Sequence, residues 1–244
     1  MTSQSIILKL IMLFSAAYFS TLCGRSPQPT PKRCEESKFS GLEMPGFRTI
    51  VRWLPQLVVT PSIWMTLFCH AASALCTYKP HGMLAATFPR ERLVSICNTQ
   101  TGILTFGFVA GWLLIAAGTA VRITCYRQLG RYFTFELAIR EGHELITTGP
   151  YSIVRHPAYS GSIMALTGVA LIELGPGSWW ADMGIWTTTG GVAAALTWLG
   201  VLGIMSSGII IRTAAEDRVL SKEFGEQWDA WARNTRYKLC PTLF

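Results

Sequence analysis

Charge is scarce in this sequence: 14% of its 244 residues are Asp, Glu, Lys or Arg, where an ordinary soluble domain carries roughly 25%. Half of the residues are hydrophobic and the mean hydropathy is +0.34. The apolar residues fall in long blocks, so they point to lipid exposure and argue against a soluble globular domain. Paired cysteines are missing as well. The seven Cys, at 23, 34, 69, 76, 97, 125 and 240, form no C-x-x-C pair and no ligand-like cluster with the four His. That argues against a disulfide framework and a structural metal site and leaves the cysteines as small apolar fillers. There is no G-x-G-x-x-G, no P-loop, no internal repeat, no nucleic-acid motif and no Ser-His-Asp arrangement on one side of a membrane. The net charge of +7 therefore serves topology and anionic partners, not nucleic acid.

Five apolar stretches are present, at about Ser5 to Cys23, Leu54 to Tyr78, Thr101 to Val121, Tyr159 to Leu174 and Trp186 to Ile211, against the ~20 residues that a membrane helix needs. Pro55 and Pro61 predict a kinked or late-starting second span. The fourth stretch is short, gains a turn if extended back to His156, and runs through Gly175-Pro176-Gly177 into a tight connection with the fifth. All Lys and Arg except Lys9, Lys79, Arg90 and Arg92 lie in the segments Gly24 to Trp53, Arg122 to Ala158 and Arg212 to Phe244. The positive-inside bias then gives five spans, an outside N-terminus and a cytosolic C-terminus. A cleaved signal peptide over the first stretch is the alternative. The expected fold class is all-α, a multi-pass transmembrane helix bundle with a cytosolic pocket formed by the loop before span four and the segment after span five. Residues 1–53 read as an N-terminal span and basic linker, 54–121 as spans two and three, and 122–244 as the functional region.

Chemistry-bearing residues concentrate before the fourth span. Pro157 suits a first helical turn, which places Arg155 and His156 at a helix N-terminus whose free N–H groups favour an anion; the bland alternative has both side chains facing lipid headgroups. Thr147-Thr148-Gly149-Pro150-Tyr151 reads as a turn that folds the His143 to Ile146 segment back against the span mouth. After the fifth span, Arg212 and Glu216 stand four residues apart and share a helix face. Val219, Leu220, Phe224, Trp228 and Trp231 then form an amphipathic tail expected along the membrane surface, with Gly225 as a possible break. His70 reads as a hydrogen-bonded bundle residue, His81 as a loop residue, and Glu173 as a side chain that snorkels to the interface.

The run Gly149-Pro150-Tyr151-x-x-x-Arg155-His156-Pro157-x-Tyr159-x-Gly161 is preceded by His143-x-Leu145 and followed by Arg212-x-x-x-Glu216-Asp217-x-x-Leu220-x-x-x-Phe224-Gly225-x-x-Trp228. Together these resemble the isoprenylcysteine carboxyl methyltransferases, integral membrane enzymes that use S-adenosyl-L-methionine to methylate the C-terminal prenylcysteine of processed CaaX proteins. The match spans about Leu129 to Pro241. The resemblance implies cofactor contacts from His143, Glu144, Leu145, Ile146, Tyr151, His156, Pro157, Ala158, Tyr159 and Glu216, and a substrate-carboxylate role for Arg212, with Arg212 and Glu216 as the catalytic pair. Its implied partners are prenylated CaaX-protein C-termini and membrane lipid, with neither metal nor nucleic acid, and its implied site is the endoplasmic reticulum membrane. Where the family often carries an amide, this chain has Glu136; the second acid after Arg212 is Asp217, not Glu; and the loop from Cys34 to Phe47 follows no pattern of the family. The Arg-His-Pro-x-Tyr-x-Gly core is shared with phospholipid N-methyltransferases and sterol reductases. Length argues against the reductases, whereas methylation of phosphatidylethanolamine stays open as the alternative, with His156 or Glu216 as proton acceptor. A non-catalytic membrane scaffold is the third reading.

Overall fold

The computed structural model describes residues 3–36, 52–78, 103–136 and 138–242. His81 and most of the Cys34 to Phe47 loop lie outside them. The described residues hold helices and turns and no strand. Five helices are long and apolar enough to cross a bilayer. They are α1 (Ser3–Gly24), α2 (Thr60–Tyr78), α3 (Phe106–Leu129), α4 (Pro157–Leu174) and α5 (Thr189–Phe224), and a shorter α6 (Glu226–Asn234) follows.

Proline shapes two of the entries. Residues 52–54 are already helical, Pro55–Val59 form a π-helical turn, and the α-helix resumes at Thr60 with Pro61 as its second residue. The span therefore runs from Arg52 without the late start that is one of the two expectations, and the two prolines mark a π-helical irregularity inside it, where local adjustment makes up for a missing N–H. Pro157 is the first residue of α4, as expected. The link from α4 to α5 is looser than the tight turn expected from sequence: Ser178 caps a separate turn of helix, Trp179–Asp182, by accepting a hydrogen bond from the Ala181 N–H, and α5 starts at Thr189, not Trp186.

Two compact units divide the chain. The first comprises Met1–Thr21, Val59–Ala116 and Ala165–Leu202. In it α3 and α4 meet through glycines, since a Cβ on Gly168 would stand 2.5 Å from the Gly111 carbonyl oxygen; small residues permit such backbone approach between membrane helices. Polar groups are buried there with partners. The Lys9 ammonium, fully buried, donates to the Gly177 carbonyl at 2.6 Å. Glu173 does not snorkel as expected: it is 2% exposed and accepts a hydrogen bond from Trp198 at 2.7 Å. The reason is that α5 supplies an indole donor at its level, so the carboxylate need not seek the interface. His70 is buried, and its Nδ1 has no hydrogen-bond partner among the described residues. Cys76 is disulfide-bonded, so not every cysteine is a filler; Cys23 and Cys125 are buried free thiols.

The second unit comprises Leu22–Val58, Ala117–Met164 and Gly203–Phe244. A Cβ on Gly161 would stand 2.6 Å from the Gly118 carbonyl oxygen, which gives the glycine of the Arg-His-Pro-x-Tyr-x-Gly run a packing reason. Arg122 on α3 is buried and ties three segments together: its Nε donates to the Cys23 carbonyl at 3.0 Å, its Nη1 donates to the Ala158 carbonyl at 3.1 Å, and it also bonds Ser162. The 36 residues of α5 measure about 54 Å at 1.5 Å per residue, against a hydrocarbon core of about 30 Å. The part of α5 that begins near Arg212 therefore extends past the apolar layer.

Candidate active site

Everything that follows lies in the second unit. Gly149, with φ +62°, starts a 3-10 turn, Gly149–Ser152, and Tyr151 from this turn is buried in an apolar cluster with Cys125, Phe133, Phe135, Ala158 and Trp231. Leu145 and Ile146 pack against the same cluster, so the turn does fold their segment back as its sequence predicts. Apolar residues of the tail pack on protein. Gly225, with φ +53°, ends α5 and redirects the chain into α6, whose Trp231 is buried and donates its indole N–H to the Tyr151 carbonyl at 3.0 Å. Val219 is buried with Ile139 and Ala215. The apolar face of the tail is spent on protein because the 129–159 segment presents an apolar surface of its own.

The segment that leads into α4 is bound by the C-terminal residues. The Arg155 N–H donates to the Tyr237 carbonyl at 2.9 Å and the His156 N–H to the Lys238 carbonyl at 2.8 Å, while the Ser160 hydroxyl donates to the Leu239 carbonyl at 2.5 Å. Chain carbonyls from the C-terminal segment thus take the two backbone N–H groups that precede the helix. Arg155 and His156 do not face headgroups. Arg155 pairs with Asp217 at 3.1 Å and lies over the Trp228 ring at 5.7 Å, and His156 is buried.

His156 is the centre of the polar site. Its Nε2 is 2.9 Å from Asp217 and its Nδ1 is 3.4 Å from Glu216, so both ring nitrogens face carboxylates, an arrangement that only the doubly protonated ring can satisfy. Burial opposes that charge, but hydrogen bonds to Asp217 and Glu216 and their charges outweigh it and lift the imidazole to about 9. The His156 ring stacks on Tyr159 at 5.5 Å. Arg212, 4% exposed, places its guanidinium 6.0 Å from the centre of the Tyr159 ring and interacts with Glu216, which Tyr159 also hydrogen-bonds. Burial pushes the Tyr151 phenol well above its ordinary value, and the nearby Cys125 and Glu216 push it the same way, so it is a neutral donor.

Of the residues that the sequence singles out, the structure brings together His156, Tyr159, Arg212 and Glu216, with Tyr151 beside them. Pro157 and Ala158 are buried next to them as the first turn of α4. His143 stands in a second cluster, stacked on Tyr132 at 4.6 Å and edge-on to Phe224 at 5.8 Å. Glu144 is exposed and interacts with Arg131. Glu136 forms an ion pair with Arg52 at 2.7 Å. Sequence reasoning missed Lys238, which reaches Asp217 at 3.5 Å, and gave Asp217 and Arg122 no role. Adjacent acids at 216 and 217 facing one histidine were the available signal for Asp217; nothing local marks Lys238.

A methyl donor with a cationic centre, a carboxylate, an ammonium group and an aromatic base fits this set of groups. Glu216 Oε2 is buried with His156 Nδ1 3.4 Å away, and the buried Trp228 indole N–H has no acceptor among the described residues. The rings of Tyr132, His143 and Phe224 offer aromatic surface. Among the described residues no group of three His, Cys, Asp or Glu side chains is arranged to hold a metal ion.

Residues 106–199 match the family described as phospholipid methyltransferase. Over 68 residues, 27% of this chain, the sequence is 38% identical to protein-S-isoprenylcysteine O-methyltransferase B of Arabidopsis thaliana, and that stretch covers 34% of the relative. Over 147 residues, 52% of this chain and 72% of the relative, it is 24% identical to protein-S-isoprenylcysteine O-methyltransferase A of the same plant. The chain thus spans about a third of the length of the first relative and nearly three quarters of the second.

Proposed function

We propose that the chain is an isoprenylcysteine carboxyl methyltransferase, a reading that its similarity to the two plant relatives supports, and that it methylates the C-terminal carboxylate of prenylcysteine on processed CaaX proteins, with S-adenosyl-L-methionine as donor. Residues 122–244 carry the reaction in this reading, and residues 1–121 supply the linker and three of the spans. The bound donor would supply an electrophilic methyl group on a sulfonium. A prenylcysteine carboxylate is ionised at pH 7 and needs no general base, so the work left to the protein is positioning, charge and exclusion of water.

The observation that carries the reading is the Arg212 guanidinium, almost fully buried, one helical turn from Glu216 at the end of an apolar helix. A guanidinium holds a carboxylate through two parallel hydrogen bonds, and its place at the edge of the apolar layer suits an acceptor whose prenyl chain stays in lipid. Glu216 orients Arg212 and, held by His156, lends its negative charge to the donor's polar end. His143 to Ile146, Tyr151 and the His156 to Tyr159 turn hold the donor from the other side. The Arg-rich segments and this site face the cytosol, in the endoplasmic reticulum membrane.

The match to the phospholipid methyltransferase description sustains a second reading, transfer to phosphatidylethanolamine. That reaction needs a group to take the amine proton; His156, lifted to about 9, already carries its proton at pH 7, which leaves Glu216 as the acceptor in this second reading. The test offers membranes containing the chain labelled S-adenosylmethionine together with N-acetyl-farnesylcysteine and phosphatidylethanolamine. Base-labile label in the farnesylcysteine is the expected result. Label confined to lipid would replace the proposal with the second reading, and label in neither would refute both.

A further inference from the structure

We propose that Asp217 is a positioning residue for the methyl-transfer site: it pins the Arg236 to Leu239 segment across the mouth of α4 and holds the His156 ring so that its other face fixes Glu216 beside Arg212. The inference rests on the methyltransferase reading, and it concerns a residue that touches neither donor nor acceptor in that reading.

Asp217 is the meeting point of three segments. Its Oδ1 takes His156 Nε2 at 2.9 Å, and its Oδ2 takes Arg155 at 3.1 Å and Lys238 at 3.5 Å. The first two partners precede α4, Asp217 stands on α5, and Lys238 follows α6. Backbone hydrogen bonds run alongside the side-chain ones: the carbonyls of Arg236, Tyr237, Lys238 and Leu239 accept from the Arg155 guanidinium, the Arg155 N–H, the His156 N–H and the Ser160 hydroxyl in turn. The tail therefore lies along residues 155–160 as a strap, and Asp217 is the anion to which the cations of both edges are tied.

A His ring with one nitrogen bound has a single orientation for the other. With Nε2 on Asp217, Nδ1 is directed at Glu216, 3.4 Å away, and Glu216 in turn interacts with Arg212 and Tyr159. The groups facing His156 are Arg155 and Tyr159 from its own segment, Glu216 and Asp217 from α5 with Arg212 behind them, and Lys238 from the tail. Without Asp217, the imidazole keeps one carboxylate and remains close to three other cations, so its charge and its orientation are both released. The alternative is an ion-pair knot that only stabilises the fold, with no consequence for the ring.

The experiment uses the full chain in detergent or nanodiscs, with ring-labelled histidine for NMR and the His156 resonance identified by its loss in His156→Gln. Wild-type His156 should titrate near 9. In Asp217→Asn the titration should fall by roughly 1–3 units, the effect of one opposite charge at contact distance, and the pH above which methyl transfer fails should fall with it. Asp217→Glu should restore both. Lys238→Met is the gentler companion should Asp217→Asn not fold: it removes a cation from the shared carboxylate and should raise the His156 titration. An unmoved His156 titration in either variant, or a methyl-transfer profile that stays put in Asp217→Asn while the titration moves, would overturn the proposal. Wild-type protein that transfers no methyl group would defeat the enzymatic reading, and with it the catalytic meaning of the positioning, whereas the titration would still decide whether Asp217 holds the ring.

Discussion

Replacing Arg212 by Ala removes a guanidinium that is 4% exposed and, in the proposed reaction, the group that holds the acceptor. Its cost to folding is modest, because the charge count survives. The two carboxylates Glu216 and Asp217 are neighboured by His156, Arg155, Lys238 and Arg212, so three cations still face two anions in the variant. The cost to catalysis is larger. Truncating one partner of a buried, hydrogen-bonded charge pair costs about 2–5 kcal/mol, which at 1.36 kcal/mol per factor of ten is a loss of roughly 30-fold to 5,000-fold in kcat/KM for the farnesylcysteine acceptor. Arg212→Lys keeps the charge but not the planar fork and should fall between wild type and Ala. The assay is label transfer at varied acceptor concentration, with binding of S-adenosylhomocysteine measured on the same preparations to show that the donor side is intact. An Ala variant that binds S-adenosylhomocysteine and methylates farnesylcysteine as well as wild type would refute the clamp.

Three further outcomes follow from the same geometry. His156 sits at about 9 in the folded chain against an ordinary value of about 6.5, so its contribution to stability is complete below pH 6.5 and is lost as pH rises through 9; thermal melts across that window should fall in wild type and flatten in His156→Gln. Gly161→Ala places a Cβ 2.6 Å from the Gly118 carbonyl oxygen and should cost about 1–3 kcal/mol by overpacking, whereas Gly107→Ala, which meets nothing within 4 Å, should be neutral in the same denaturation series. Glu136→Gln breaks the pair with Arg52, whose side chain is 34% exposed; a partly solvated pair of this kind is worth about 0–1 kcal/mol, and unchanged methyl transfer with a small loss of stability is expected from activity and melting measurements.

The five spans were legible because lipid solvation imposes a demand that composition alone records: long apolar stretches, prolines only where a first turn or a break tolerates them, and basic residues gathered in three segments. Pro157 opening α4 and the π-helical irregularity at Pro55 are local backbone chemistry, set by single residues. The Gly161 contact was visible only as a motif letter, since its reason is the opposite helix. Long-range pairing decided the rest. Trp231 and Val219 have the spacing of a surface-bound amphipathic helix, but the 129–159 segment offers them a protein face, and burial against protein satisfies that spacing as well as lipid does. Glu173 was expected at the interface because its partner, Trp198, is on another helix. The N–H groups before α4 looked free because the carbonyls that take them come from residues 236–239, some eighty positions later. Sequence by itself determined which segments enter the membrane and which residues could carry charge at its edge. Only the tertiary structure decided that His156 stands between two carboxylates and that the C-terminal segment closes over it, because hydrogen bonds between distant segments leave no periodicity in the chain that forms them.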